Sequence, residues 1–104
     1  MSTHTVAHVD DLRSGDAMRV DAAGHKICLA RIGEEWFAIG DTCSHADFPL
    51  SAGMVWPDDC AVECPKHGAL FSLRTGQPNS LPATVPVAVY AVRVVGDDVV
   101  VEVP

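Results

Sequence analysis

The chain is poor in positive charge. Seven lysines and arginines stand against fourteen aspartates and glutamates, giving a formal net charge of −7 at pH 7. Nucleic acid and anionic membranes both reward a basic face, so neither is an expected partner. Long apolar runs are missing too: no stretch of about 18 apolar residues occurs, so nothing reads as a membrane span. The opening "MSTHTVAHVDDLRSGD" has no basic region followed by an apolar one, and does not read as a signal peptide. The expected location is therefore the cytoplasm. There a disulfide framework from the four cysteines is disfavoured, and clustered cysteines point to metal or catalysis.

Helical periodicity is also absent, as are internal repeats, low-complexity tracts and any linker. What remains is a series of short β-type runs separated by turn residues. "AMRVD" (17–21) and "KICLARI" (26–32) flank the turn "AAG", and "EEWFAIG" (34–40) follows the turn at Gly33. "VAVYAVRVVGDDVVVEV" (87–103) is the clearest element, two valine-rich strands joined at Gly96-Asp97 by a tight II′-type turn. "DDLRSGD" (10–16) has room for a helical turn at most. Residues 1–104 are expected to form a single all-β domain, an antiparallel sandwich or barrel. With 48% hydrophobic residues it can bury a core without disulfide staples.

The interval from about 41 to 68 is too long for an ordinary hairpin connection, and such intervals in compact domains tend to be functional. It holds "DTCSHADFPL" and "ECPKHGALFS", and so Cys43, His45, Cys64 and His67, with 18 residues between the two halves. Zinc is one candidate, because two cysteines and two histidines make a common tetrahedral set. An ordinary finger, however, takes both cysteines from one segment and both histidines from the other. Here each segment supplies one of each. That suits a binuclear centre with unequal irons, thiolates on one and imidazoles on the other.

The motif "CSH…CPKHG" resembles that of the Rieske proteins, and in particular the small Rieske-type ferredoxins of bacterial ring-hydroxylating dioxygenase systems. The resemblance extends over nearly the whole chain. "ALFSLRTGQPNSLPATVPV" (69–87) is similar to the segment after the second ligand pair, with a hairpin at "RTG" and a covering loop at Leu81-Pro82-Ala83. It implies a Rieske-like fold with two cluster-binding loops and one [2Fe–2S] cluster per chain. Cys43 and Cys64 would bind one iron, and His45 and His67 the other. It implies no catalytic residues, but a one-electron carrier between an NAD(P)H-dependent reductase and a terminal oxygenase. The chain has no GxGxxG fingerprint and no room for a 2-His-1-carboxylate iron site, so it is neither of those enzymes. A Rieske-fold accessory role in iron–sulfur cluster assembly or nitrite reduction is the alternative. A monomer is expected.

The resemblance also bears on potential. High-potential Rieske proteins carry an extra cysteine in each loop, besides the ligand, and the two pair in a disulfide; the matching positions here are Phe48 and Lys66. They place a serine where this chain has Ala69, and a tyrosine where it has Phe71. Lost hydrogen bonds to cluster sulfur lower the potential, so a value near the bottom of the Rieske range, about −150 mV, is expected. One departure stands in "VWPDDC" (55–60), where the gap between ligand pairs is slightly longer than in these ferredoxins. "WP" reads as an insertion at the tip between the cluster loops, with Trp56 either exposed there or packed against the domain. Asp47, Pro49, Pro65 and Lys66 would shape the shell, and the Gly68 N–H is expected to approach a sulfide. Cys28 reads as an ordinary buried cysteine and Cys60 as structural. His4, His8 and His25 read as surface residues without metal.

Overall fold

A computed structural model describes residues 2–42, 48–65, 68–78 and 85–104. Among these there is no α-helix; nine strands and three short 3-10 turns carry the fold. Six strands form one antiparallel sheet: β1 (Ser2–His8), β2 (Ala17–Ala22), β3 (His25–Ile32), β4 (Glu35–Gly40), β8 (Val89–Val95) and β9 (Asp98–Val103). Their order is β1-β9-β8-β4-β3-β2, and the edge strands β1 and β2 come within 8 Å of each other (Cα–Cα), so the sheet nearly closes. The other three, β5 (Val55–Trp56), β6 (Ala61–Glu63) and β7 (Leu70–Ser72), form a small sheet of their own.

The turns follow from their residues. Ala23 and Gly24 both have positive φ and link β2 to β3, as a two-residue I′ turn requires. Between β8 and β9, Val95 pairs with Asp98 across Gly96-Asp97. Gly96 has φ +62 and Asp97 does not join it in the left-handed region, the II′ pattern expected from sequence. The segment "DDLRSGD" holds only the end of a 3-10 turn, Val9–Asp11.

Two cores divide the apolar residues, and β3 and β4 belong to both. Ile27, Leu29 and Ala38 face the inside of the nearly closed sheet, with Leu12, Val20, Ala22, Val99, Val101 and Val103. Cys28, Ala30, Phe37 and Ile39 face the other way, onto the small sheet, where they meet Leu50, Val55, Val62, Cys64, Ala69, Phe71 and Leu73. Burial on both faces explains why "KICLARI" and "WFAI" read as continuous apolar runs. By contrast β8 alternates, with Val89, Ala91 and Arg93 facing solvent and Tyr90 and Val92 facing the core. Each fully buried aliphatic side chain contributes roughly 1.5–3 kcal/mol. At the far end of the barrel Arg31 holds the 9–12 segment over the core. Its guanidinium donates to the carbonyls of Val9 (3.1 Å), Leu12 (2.9 Å) and Gly33 (2.9 Å) and lies over the Trp36 ring.

The interval 41–68 is thus not one long loop. It contains a 3-10 turn at Leu50–Ala52, the hairpin of β5 and β6, and a further 3-10 turn, Pro57–Asp59, between them. Strands of two and three residues are too short to display a period, which is why they are invisible in the sequence.

Candidate metal centre

Three connections leave the scaffold side by side, and each is closed at its root. The first runs from Thr42 to Pro49. It begins where Asp41 extends the β3–β4 ladder by one step, its N–H donating to the Lys26 carbonyl at 3.0 Å. It ends where Leu50 N–H donates to the Asp41 carbonyl (2.6 Å) and Ser51 N–H to Asp41 Oδ1 (2.8 Å). Thr42 and Pro49 pair across the opening in an isolated bridge.

The second connection joins β6 to β7. Cys64 N–H donates to the Ala69 carbonyl at 2.7 Å, and both residues are fully buried. Gly68 N–H donates to the Cys64 carbonyl at 2.9 Å. Gly68 has φ +74 with open space where a Cβ would sit. The left-handed turn by itself favours a glycine here, and its N–H closes that turn on Cys64.

The third connection follows β7. Phe71 bridges Pro78, Ser72 N–H donates to Gln77 (2.8 Å), and Val87 N–H donates to the Gly76 carbonyl (2.9 Å) on the way back. Gly76 has φ +73 and passes so close to Val87 that an added Cβ would lie 2.2 Å from the Val87 carbonyl oxygen. The chain thus reverses at "RTG" and pairs back as far as Pro78 among the described residues.

The roots also touch one another. Gly40 N–H donates to the Ala88 carbonyl at 2.8 Å, joining the first to the third. Gly53 lies against the Glu63 carbonyl, and Glu63 N–H donates to Met54 at 2.8 Å, joining the first to the second. Leu50, Cys64 and Ala69 share one core, with Val87 packed against it.

Of the four expected ligands, Cys64 is among the described residues, buried at the start of the second connection. Cys43, His45 and His67 lie outside the described residues, as do Asp47, Lys66 and Leu81-Pro82-Ala83. Cys43 and His45 fall in the first connection and His67 in the second, so the roots bring the two ligand segments to neighbouring places on the scaffold. A buried sulfur donor on one root, with both donor types carried by each loop, fits a cluster with unequal irons.

Other sequence-flagged residues sit elsewhere. Cys60 stands at the start of β6 and Cys64 just past its end, about 13 Å apart at strand rise, too far for one mononuclear site. Cys60 adopts φ +49, caps the Pro57–Asp59 turn, and accepts Leu73 N–H at 2.9 Å, a structural role. Burial pushes its thiol up; Arg74 opposes this and Glu35 adds to it. Burial, and then the Asp41 carboxylate, push the Cys28 thiol up to about 12, so it stays neutral and inert. His4, His8 and His25 are half-buried or exposed, and among the described residues no three histidine, cysteine or carboxylate side chains come together as a metal-holding cluster. Trp56 is 42% exposed, with Nε1 donating to Glu63 Oε1 at 3.2 Å. Its hairpin turn lies at the opposite end of β6 from Cys64, not at the tip between the loops. Phe71 is a core residue, fully buried, and Phe48 is exposed. The residues that sequence reasoning missed are Asp41 and Gly53, which close and space the roots.

Comparison with known proteins agrees with this arrangement. Residues 2–91 match the Rieske [2Fe-2S] domain family. The chain is 40% identical over 102 residues to the ferredoxin component of biphenyl 2,3-dioxygenase from Rhodococcus jostii (strain RHA1), covering 98% of this chain and 94% of that one. Its fold matches the ferredoxin of carbazole 1,9a-dioxygenase from Nocardioides aromaticivorans IC177 with a TM-score of 0.93 and 35% identity, over 97% of both chains. It also matches a chain in a complex of reduced oxygenase and oxidised ferredoxin of carbazole 1,9a-dioxygenase, with a TM-score of 0.87 and 36% identity, over 95% of this chain and 91% of that one.

Proposed function

The chain belongs to the Rieske [2Fe-2S] domain family, and on that premise we propose that it carries single electrons from an NAD(P)H-dependent reductase to the terminal oxygenase of a ring-hydroxylating dioxygenase system. It is a ferredoxin component, not an enzyme, and it acts as a monomer of one domain, residues 1–104. The observation that carries this reading is similarity to a dioxygenase ferredoxin component over 98% of this chain and 94% of that one. Biphenyl and carbazole are named for different relatives, so the shared property is the carrier role and not the substrate.

The ligands would be Cys43 and Cys64 on one iron and His45 and His67 on the other. When bound, the cluster supplies a one-electron couple; the chain's own part is to hold, shield and tune it. Cys64 is held by the Ala69 and Gly68 backbone bonds and enclosed by Leu50 and Phe71, which keep water from that side. Ala69 and Phe71 offer no hydroxyl, so sulfur there receives no hydrogen bond from either side chain. Two neutral imidazoles in place of two thiolates make the oxidised centre less negative than an all-cysteine one, which keeps the potential from falling further.

An EPR-monitored redox titration tests this. A rhombic signal of mixed cysteine and histidine ligation appearing near about −150 mV is the expected result. The same signal already present with ascorbate would keep the ligands and overturn the low-potential argument. Colourless, metal-replete protein with no signal would leave zinc in the site and refute the carrier role.

A further inference from the structure

Asp41 is the one charged side chain buried among the described residues, 2% exposed, and neither core nor ligand set accounts for it. A carboxyl group is costly to bury unless a partner satisfies it. We propose that Asp41 is a positioning residue for the cluster: its side chain ties the returning arm of the first loop to the outgoing arm, and so sets the spacing between the two ligand loops. This rests on the ligand set given above, through Cys43 and His45 in the loop that Asp41 closes.

The backbone of residue 41 does its share whatever the side chain. Its N–H meets Lys26 and its carbonyl accepts Leu50 N–H. Among the described residues, the bond that depends on aspartate is the one from Ser51 N–H to Oδ1. Ser51 lies in the first turn of the 3-10 segment Leu50–Ala52, where N–H groups have no partner within the turn. A carboxylate acceptor makes a stronger bond there than a neutral one, and burial keeps water from competing for it. From this point the arm places Leu50 in the core beside Cys64 and Gly53 against the carbonyl of Glu63. A shift at Ser51 is therefore passed, two residues later, to the residue that precedes Cys64. A two-loop cluster needs its loops at a fixed separation, and this is the short path that fixes it.

Three substitutions in the cluster-loaded protein test the idea. Asp41→Asn keeps an oxygen acceptor in place, Asp41→Ala removes it, and Asp41→Glu keeps the carboxylate but moves it by one methylene. The measurements are iron and sulfide per chain, EPR g values, thermal midpoint, and the rate of iron loss to excess chelator. Asp41→Asn is expected to hold a full cluster with parental g values. Asp41→Ala and Asp41→Glu are expected to shift the g values and lose iron at least about tenfold faster, the scale of one charge-assisted hydrogen bond. Leu12→Ala, in the other core, serves as the stability control and is expected to lower the thermal midpoint without faster iron loss well below it. Parental g values and parental iron loss in Asp41→Ala would overturn the proposal, as would Asp41→Asn losing iron as fast as Asp41→Ala. Should the alanine variant not fold, equal rates for the asparagine and glutamate variants would overturn it. Cys43→Ser separates the two levels. A parental signal in that variant overturns the ligand set and this proposal with it, whereas dependence on Cys43 without dependence on residue 41 overturns only the latter.

Discussion

Replacing Gly53 by alanine offers a sharp test of how the roots are packed. Gly53 has φ −87 and ψ −176, a conformation open to any residue, so the glycine is not there for its backbone freedom. It is there for space. A Cβ on Gly53 would lie 1.7 Å from the Glu63 carbonyl oxygen, 2.9 Å from its carbon and 3.2 Å from the Leu50 oxygen. Reaching even 3.0 Å, below which such contacts essentially never occur, needs a movement of 1.3 Å. The obstructing atoms are backbone, so no side chain can swing aside. Overpacking of this kind costs about 1–3 kcal/mol. Displacing Glu63 also endangers its bond to Met54, worth about 1 kcal/mol. Against this, alanine stiffens the unfolded chain and returns about 0.4–1 kcal/mol. The net is about 2 kcal/mol, which in a domain of this size lowers the melting temperature by about 8–16 °C.

Melting of Gly53→Ala, followed by far-ultraviolet circular dichroism and by the visible band of the loaded protein, is the assay. The visible band should change as well, because the residue displaced is the neighbour of Cys64. Gly33→Ala is the control. It sits at φ +61 in the β3–β4 turn with nothing within 4 Å of the added Cβ. It should cost about 1 kcal/mol through backbone strain and leave the visible band untouched. A Gly53→Ala protein that melts within about 2 °C of the parent, with an unchanged visible spectrum, would refute the packing argument.

Two further outcomes follow from the same structure. Ala69→Ser places a hydroxyl beside Cys64 at a fully buried position. One hydrogen bond to sulfur of about 1–1.5 kcal/mol should raise the midpoint potential by roughly 45–65 mV, and an unchanged or lower midpoint in a folded variant would sink the account of the low potential. Cys28 predicts a loss of stability in alkali. Its folded thiol is pushed from 9.0 up to about 12, so the unfolded chain gives up that proton first and stability falls as pH rises from about 9 to 12. The full effect is about 4 kcal/mol, and urea unfolding of Cys28→Ala across that window should have a correspondingly flatter slope; parallel slopes would refute it.

What the sequence discloses and what it hides have physical causes. The spacing of the cysteine–histidine pairs, the doubly buried runs of β3 and β4 and the II′ turn at Gly96 are all local patterns that a chain displays before it folds. β1 is different. "STHTVAH" is a mostly exposed edge strand held by its pairing with β9, so no apolar period marks it. Asp41 is one of fourteen acidic residues in the chain and looks like any other until the fold buries it. Its only outward sign is position, at the end of the apolar run "FAIG" and at the mouth of the ligand loop. Gly53 is hidden for a related reason. A glycine needed for a turn and a glycine needed for space are the same letter, and only the Glu63 carbonyl beside it tells them apart.

The three roots use three devices: a buried carboxyl on the first loop, a left-handed glycine turn on the second, and close backbone contact of Gly76 with Val87 on the third. Each acts between backbone segments within a few residues of the scaffold. A carrier that meets two partners in turn has reason to be built this way. Its tips must accept different surfaces while the surroundings of the bound cluster stay the same, because any rearrangement on docking would add to the barrier for electron transfer. The exposed apolar side chains fit that division. Phe48 and Val85, 38% and 57% exposed, stand just beyond the roots of the first and third loops, outside the packed core. Apolar exposure beside the loops suits a brief contact that is released, which is what the proposed function requires.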